Sequence, residues 1–193
     1  MPTIIRAPAR ALRCWLVRFM ALLACSALFG CSSQPHAPSL QHEPVYQNSA
    51  EGFRFLAPEN WALHAKSALP TGRFEKERLL VGYRRQPPEK PALLEVSRAD
   101  LPESIDLMEH LGQPSFGATS WRLKSGPERF EVNGVAAQRA SFSAVVAKDD
   151  LTREVVVFRK GEKVYFFTGL FPSKDARARE EIRRSVGSVI WKD

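Results

Sequence analysis

Residues 153–171 read REVVVFRKGEKVYFFTGLF, two apolar runs on either side of the turn-forming residues Lys160-Gly161-Glu162. Residues 155–158 and 164–167 are apolar or aromatic at every successive position. Because successive side chains of a strand point to opposite faces of its sheet, such runs predict strands that are covered on both faces. The stretch therefore predicts a hairpin at the centre of a sheet.

More strands are predicted on the N-terminal side of this hairpin. Phe130 and Val132 alternate with charged residues up to Asn133-Gly134, a two-residue turn that tolerates positive φ and typically joins two antiparallel strands. After the turn, one face of the next predicted strand carries Ala140, Phe142, Ala144 and Val146, and the other carries Arg139, Ser141 and Ser143. Four shorter runs also indicate strands: residues 52–56, 61–66, 78–83 and 92–97.

Two helices are expected, each from apolar residues at helical spacing. The first stripe ends before Gly112 and Pro114, and the second follows a predicted N-cap at Ser173. The two stripes are Leu101, Ile105, Met108 and Leu111, and Ile182, Val186, Val189 and Ile190. The sum predicts an α+β fold, in which a largely antiparallel β-sheet packs against helices.

The N-terminus predicts a cleaved secretory signal. An apolar segment, residues 19–30, follows a basic stretch that contains no acidic residue. As a helix, those about 12 residues would span only about 18 Å, whereas the hydrocarbon core of a bilayer is about 30 Å thick. We therefore expect residues 1–30 to be removed. The basic residues are Arg6, Arg10, Arg13 and Arg18.

The end of this segment resembles the signal of bacterial lipoproteins. Leu28-Phe29-Gly30 precedes Cys31, and the resemblance makes Cys31 the lipidated N-terminus of the mature chain. Leu22-Leu23-Ala24-Cys25 is a second candidate, but it would leave a shorter apolar core. The resemblance implies a lipid-anchored protein of the bacterial cell envelope. Since Ser32 is not acidic, it also implies sorting to the outer membrane, facing the periplasm, in an organism that has one.

Removal of the signal changes the composition that the domain presents. The formal charge falls from +7 to +3 when the four arginines are lost. No basic run interleaved with aromatic residues remains, so no nucleic-acid partner is expected. Cys14 and Cys25 are lost as well, which leaves only the lipidated Cys31 and removes disulfides, thiol catalysis and cysteine–metal sites from consideration.

Residues 31–50 are predicted to form a flexible tether, and residues 51–193 a single domain. The tether is rich in Ser, Pro, Gln and His, a composition that buries too little apolar surface to offset the entropy of ordering. It contains His36 and His42, which suit either a metal-binding tract or ordinary linker, and we expect linker. The domain has an ordinary size and shows no internal repeat.

The order of elements in residues 51–193 resembles the PsbP-like superfamily. The segments that carry the resemblance are Gly52-Phe53-Arg54-Phe55 before Pro58 and Trp61, Gly134-Val135 before Arg139, and residues 165–169 before a closing helix. The superfamily includes the PsbP extrinsic subunits of photosystem II, Mog-type nuclear import factors and DcrB-type bacterial lipoproteins. The resemblance implies an α/β/α sandwich, is greatest to the lipoprotein branch, and carries no functional residue over to this chain.

The candidates for catalysis are few. His64 and His110 are the only histidines of the predicted domain, and each is explained equally by a surface or helix-end position. Ser115 lacks the glycine frame of a nucleophile elbow. The acidic residues around the first predicted helix suit an acid–base pair or a solvated face, and no metalloprotease, Walker or Rossmann motif is present. These acidic residues are Glu95, Asp100, Glu103, Asp106 and Glu109. We expect no enzyme, no cofactor and no metal.

Two functions of a non-catalytic domain remain open. The preferred one is a protein-interaction or assembly-stabilising module of the envelope, which the resemblance to the extrinsic PsbP subunits implies. The alternative is a carrier of a small ligand or lipid, bound in a cleft between sheet and helix. Trp61, Trp121 and Phe116 are candidates to line such a cleft, and core packing explains the same aromatic residues.

Overall fold

The computed structural model describes residues 44–64 and 77–192. The chain divides into two units, residues 1–41 and residues 42–193, and all of the described residues belong to the second. The predictions for the signal peptide, for lipidation at Cys31 or Cys25, and for His36 and His42 lie outside the described residues. Within residues 44–64 and 77–192, no helix is long and apolar enough to cross a membrane.

Ten strands and two helices make up the described fold. They are β1 (Val45–Asn48), β2 (Phe53–Leu56), β3 (Trp61–His64), β4 (Arg78–Arg85), β5 (Leu93–Asp100), α1 (Leu107–Leu111), β6 (Arg122–Val132), β7 (Val135–Val146), β8 (Asp149–Lys160), β9 (Lys163–Pro172), α2 (Ala176–Gly187) and β10 (Ile190–Trp191).

Seven of the strands form one antiparallel sheet in the order β3-β4-β5-β9-β8-β7-β6. The predicted central hairpin is confirmed, because β9 and β8 occupy the middle of this order. Val155 and Val157 of β8 are buried on one face of the sheet, and Val156 and Phe158 on the other. The predicted turn is confirmed too: Asn133 and Gly134 both have positive φ and join β6 to β7.

Each face of this sheet is covered by different elements. Helix α2 packs on one face together with a three-stranded antiparallel sheet of order β1-β2-β10. Helix α1 and the loops around it cover the other face, in a smaller core that includes Leu111 and Trp121. The predicted α+β class, with a largely antiparallel sheet between helices, is confirmed.

Strand β1 differs from the sequence prediction. It lies inside residues 31–50, which the composition assigned to a flexible tether, yet Val45–Asn48 pairs along its whole length with β2. The physical reason is Tyr46, whose ring lies 6.0 Å from that of Phe53 and 5.2 Å from that of Phe55. The ordered domain therefore begins by Pro44, not at residue 51.

The first predicted helix is shorter than its apolar pattern indicated. Residues 101–106 are not helical, and α1 begins after Asp106, whose carboxylate accepts hydrogen bonds from the backbone N–H of Met108 at 2.8 Å and of Glu109 at 3.2 Å. This side chain is the N-cap that the pattern concealed. Leu101 is nonetheless buried in the same core as Leu111. The apolar spacing therefore predicted the buried residues correctly but predicted too long a helix.

The second predicted helix differs at both of its ends. Asp175, and not Ser173, is the N-cap, and it accepts a hydrogen bond of 2.9 Å from the backbone N–H of Ala178. The helix ends at Gly187, so Val189 and Ile190 lie beyond it. Val189 is still buried, whereas Ile190 is 43% exposed on β10.

Candidate functional site

Helix α2 lies very close to the sheet at one point. A Cβ atom added to Gly169 of β9 would lie 2.7 Å from Cγ2 and 2.9 Å from Cδ1 of Ile182. Only glycine at position 169 permits this approach. The helix is therefore seated on β9.

A cleft of about 380 Å³ opens between α2 and strands β6 to β8. We call it the helix cleft. Its volume falls within the range of ligand-binding pockets. Its lining consists of Phe130, Glu131, Val132, Asn133, Arg139, Glu154, Val156, Phe167, Ile182, Arg183, Val186 and Gly187.

The apolar part of this lining belongs to the main core. Val156, Phe167, Ile182 and Val186 are all buried, and Phe130 packs partly buried against them. Their side chains give the cleft a rigid apolar floor, since they also hold α2 to the sheet. A ligand in the cleft would contact side chains that are already fixed by packing.

Two ion pairs border the apolar floor. Arg183 of α2 donates two hydrogen bonds to the carboxylate of Glu154, at 2.8 and 2.7 Å. Arg139 of β7 donates one of 2.8 Å to Glu128, and its guanidinium lies 5.1 Å from the ring centre of Phe130. Each arginine at this border therefore has a carboxylate partner, and the rim is polar without a large excess of either charge.

These contacts shift the pKa of one group in each pair. The hydrogen bond to Glu154 raises the pKa of Arg183. The hydrogen bond from Arg139 lowers the pKa of Glu128. Both shifts favour the charged forms of Arg183 and Glu128.

One end of the helix cleft is closed by the β6–β7 turn. The side-chain amide of Asn133 donates a hydrogen bond of 2.8 Å to the backbone oxygen of Val189, just beyond α2. Asn133 thus has two roles, because its positive φ also allows the turn. The sequence identified the turn but not the contact with the end of the helix.

A second polar cluster lies on the opposite face of the sheet and was not predicted. Arg153 is 4% exposed, and its guanidinium lies 4.8 Å from the ring centre of Trp121 and 5.0 Å from that of Phe142. It donates a hydrogen bond to the hydroxyl of Ser115. Burial lowers the pKa of Arg153 to about 10, against the opposing effect of the charge on Glu77. In the sequence Arg153 merely precedes an apolar run, which gives no sign of its burial.

His110 and Glu77 extend this cluster. Nε2 of His110 lies 3.8 Å from Oε2 of Glu77, and the histidine side chain is 11% exposed. Burial raises the pKa of Glu77, although a hydrogen bond from Ser97 opposes the shift. The pKa of Glu95 is raised as well, first by burial and then by the charge of Glu77. The cluster thus contains carboxylates that retain their protons more readily than usual.

The other acidic candidates are separated by the structure. Asp100 accepts a hydrogen bond of 2.6 Å from Arg98 at the end of β5. Asp106 caps α1, Glu109 lies in the first turn of that helix, and Glu103 is exposed in the turn before it. His64 ends strand β3. Within the described residues no group of three or more His, Cys, Asp or Glu side chains is arranged to hold a metal ion.

The three aromatic residues expected in a cleft do not lie together. Trp61 is buried in the core on the α2 face, where its Nε1 donates a 2.9 Å hydrogen bond to Glu181. Trp121 is buried in the core on the α1 face, and Phe116 is 36% exposed in a loop. The cleft between sheet and helix exists, but the aromatic residues that line it are Phe130 and Phe167.

The fold is shared with a solved structure of distant sequence. Cyanobacterial PsbP (CyanoP) from Synechocystis aligns with 77% of this chain and 91% of its own at a TM-score of 0.56 and 16% identity. A Bacteroides thetaiotaomicron protein aligns over 77% of this chain and 48% of its own, at a TM-score of 0.47 and 8% identity. LpqN of Mycobacterium tuberculosis, described as involved in cell envelope biogenesis, aligns over 77% of this chain and 90% of its own, at a TM-score of 0.48 and 12% identity.

No protein-family model matches the chain, and no curated protein matches it. The similarity to CyanoP shows that residues of this chain adopt the PsbP-like fold. The resemblance inferred from the sequence is confirmed at that level.

Proposed function

We propose that this chain is an envelope lipoprotein, anchored by lipid on Cys31, whose PsbP-like domain is a non-catalytic module that binds a protein partner. The observation that carries the proposal is the helix cleft, a rigid apolar floor inside a rim of paired charges. Protein interfaces have this anatomy, in which an apolar centre receives an anchoring side chain and a polar rim surrounds it.

The charges of the rim favour a partner over a strongly charged small molecule. Arg139 and Arg183 are already engaged by Glu128 and Glu154. An anionic ligand would therefore meet arginines whose charge a carboxylate already neutralises. An apolar side chain of a protein partner enters the cleft without breaking either pair, and polar groups around it meet both signs of charge at the border.

The contacts of the candidate catalytic groups support a structural role for them. The hydroxyl of Ser115 accepts a hydrogen bond from the guanidinium of Arg153. A protonated guanidinium cannot act as the general base that removes the proton of a serine nucleophile. Asp106 is used as a helix cap and Asp100 as an ion-pair partner. We therefore propose that the domain acts by binding alone, without a cofactor.

The anchor is tested by metabolic labelling with a fatty-acid analogue. We expect the native chain to be labelled and Cys31→Ser to be unlabelled. Cys25→Ser is the matched control, because Cys25 is the other candidate and should leave labelling unchanged. Unchanged labelling of Cys31→Ser would reject the site, and loss of label only in Cys25→Ser would move the anchor to that residue.

The cleft is tested by capture of partners from detergent-solubilised envelopes. Gly187 lines the cleft, and a Cβ added there meets no atom within 4 Å, so the backbone accepts a side chain at this position and Gly187→Trp places an indole at the mouth of the cleft. Glu180→Trp places the same side chain at an exposed position of the same helix. We expect the native chain and Glu180→Trp to retain the same partner and Gly187→Trp to lose it. Equal capture by all three would show that the cleft is not the interface.

The volume of the cleft favours one alternative, a carrier of a small ligand or lipid. About 380 Å³ is enough to hold a small apolar molecule. Mass spectrometry of the purified chain distinguishes the two functions. Lipid that co-purifies with the native chain but not with Gly187→Trp, in the absence of any stable protein partner, would replace the interaction module with the carrier.

A further inference from the structure

The three-stranded sheet has two unlike faces. Phe53, Phe55 and Trp191 point into the main core and are buried. Residues at alternate positions point the opposite way, since side chains alternate along a strand. On this outer face Val45 lies opposite Leu56, and Ile190 lies opposite Arg54.

The outer face presents apolar side chains to the surroundings. Val45 is 56% exposed and Ile190 is 43% exposed, and both are among the few large apolar side chains that the described residues expose. Together with Leu56 and Arg54 they line a groove of about 380 Å³ that runs to the end of α2. The outer face thus contributes three apolar side chains and one guanidinium to the groove.

The position of the groove along the chain relates it to the anchor. Val45 follows Cys31 by about 14 residues, which span at most about 50 Å when fully extended. The backbone oxygen of Pro44 accepts a 2.7 Å hydrogen bond from the N–H of Ala57, which fixes the chain where it enters the sheet. A chain held by lipid at Cys31 therefore reaches the domain at the edge of this groove.

We propose that the outer face of the three-stranded sheet lies against the bilayer in which Cys31 is anchored. Val45, Leu56 and Ile190 contact the boundary between headgroups and acyl chains, and Arg54 pairs with a lipid phosphate. The inference rests on the proposed anchor. A lone patch of this size binds a membrane weakly, but the tether supplies a high effective concentration, so a weak contact suffices to orient the domain.

A second copy of the chain fits this surface less well. A stable interface between two proteins buries about 800 Å² on each partner, and three apolar side chains and one arginine provide only part of that. The membrane contact also has a consequence for the helix cleft. Asn133 and Gly187 line both the cleft and the groove, so the cleft would open beside the membrane surface and receive a partner that lies there.

The test uses single thiol probes in the full, lipidated chain. In the mature protein the thiol of Cys31 carries lipid, so Ile190→Cys introduces the only free thiol for a fluorophore. Val145→Cys is the matched control. Val145, like Ile190, is a β-branched apolar residue exposed on a strand (67% exposed), but it lies on β7 of the other sheet. Both variants are reconstituted in phosphatidylcholine–phosphatidylglycerol vesicles that contain brominated lipid.

We expect brominated lipid to quench the probe at position 190 severalfold more than the probe at position 145. Adding Arg54→Glu to Ile190→Cys should reduce this quenching, since a carboxylate repels the anionic surface. Vesicle flotation separates the two proposals. Flotation with equal quenching at both positions, or with stronger quenching at 145, would overturn the orientation and leave the anchor intact. Absence of flotation would overturn the anchor and the orientation together.

Discussion

Glu154 of β8 and Arg183 of α2 form a two-bond ion pair in which only the carboxylate is buried. The side chain of Glu154 is 3% exposed and that of Arg183 is 42% exposed. The two hydrogen bonds, from Nε to Oε1 at 2.8 Å and from Nη2 to Oε2 at 2.7 Å, are the geometry that a guanidinium and a carboxylate prefer. The pair fixes the helix at the border of the helix cleft. Because only the carboxylate is buried, replacing Arg183 and replacing Glu154 should change the free energy of unfolding by different amounts.

Arg183→Ala should destabilise the domain more than Glu154→Gln. The first variant leaves a buried carboxylate without its counter-charge, at a cost of about 2 kcal/mol once the partial exposure of the arginine is considered. The second leaves an amide that still accepts a hydrogen bond. Urea unfolding of both variants measures the difference. Arg177→Ala, which removes an exposed ion pair with Glu181 on the same helix, is the control and should change stability little.

Gly169→Ala should separate α2 from the sheet. The added methyl group would lie 2.7 Å from Cγ2 of Ile182, a distance at which one of the two elements must shift. We expect a loss of about 1–3 kcal/mol in the free energy of unfolding, as for other overpacked cores. Ile182→Ala removes the atoms that clash, so the double variant should be more stable than the sum of the two single effects predicts. Additive losses would show that Ile182 does not set the spacing.

The centre of the sheet was predictable because its signal is local. Residues 155–158 and 164–167 are apolar at consecutive positions, a pattern that only a strand covered on both faces requires in so short a run. Asn133-Gly134 was equally local, since the turn needs two residues that tolerate positive φ. Both predictions depend on neighbours in the sequence and not on distant contacts.

The candidate site was not predictable for the opposite reason. Glu154 and Arg183 lie 29 residues apart, and each reads in the sequence as an ordinary surface charge. Arg153 likewise gives no sign that it stacks on Trp121 in a core. The pairing of distant polar residues depends on the fold as a whole. The sequence therefore located the elements and suggested a cleft between sheet and helix, but it did not identify the residues that line the cleft.

Acid should destabilise the domain in part through Glu51. Burial alone would raise the pKa of this carboxyl, but hydrogen bonds from Arg98 at 2.9 Å and Tyr165 at 3.0 Å lower it overall. A carboxyl whose pKa is lower in the folded state contributes stability above its unfolded pKa of about 4.3, and that contribution is lost as the pH falls through the folded value. Unfolding midpoints measured between pH 7 and pH 3 should fall less steeply for Glu51→Gln than for the native chain.

Glu77 and Glu95 provide an internal contrast to this behaviour. The pKa of each is raised, first by burial, so each contributes stability that is present at low pH and is lost as the pH rises. Glu95→Gln should therefore remove a destabilising effect at neutral pH and change stability little below the unfolded pKa of about 4.3. If the unfolding midpoint fell equally between pH 7 and pH 3 in Glu51→Gln and in the native chain, the role of Glu51 would be contradicted.

All three tyrosines should resist ionisation until the domain unfolds. Burial raises the pKa of Tyr46, and it raises the pKa of Tyr83 and of Tyr165 to about 12. Absorbance at the tyrosinate band should remain low in the folded protein at pH 10.5 and rise at once on addition of denaturant. Titration of one tyrosine near pH 10 in the folded protein would show that it is more exposed than the structure indicates.

Removal of β1 should destabilise the domain although it removes only four paired residues. A chain that begins at residue 42 keeps the hydrogen bond between Pro44 and Ala57 and the packing of Tyr46 on Phe53 and Phe55, whereas a chain that begins at residue 51 loses all of them. The shorter chain also exposes the edge of β2 that β1 pairs with and the rings of Phe53 and Phe55 that Tyr46 contacts. Tyr46 is partly buried, so its loss should cost about 1–2 kcal/mol, less than full burial of an aromatic side chain, and we expect the longer chain to unfold at a higher urea concentration. Tyr46→Ala in the longer chain should reproduce most of the difference, because the aromatic contacts and not the backbone pairing hold the strand. Equal stability of the two chains would show that residues 44–50 do not contribute to the folded domain and belong to the tether.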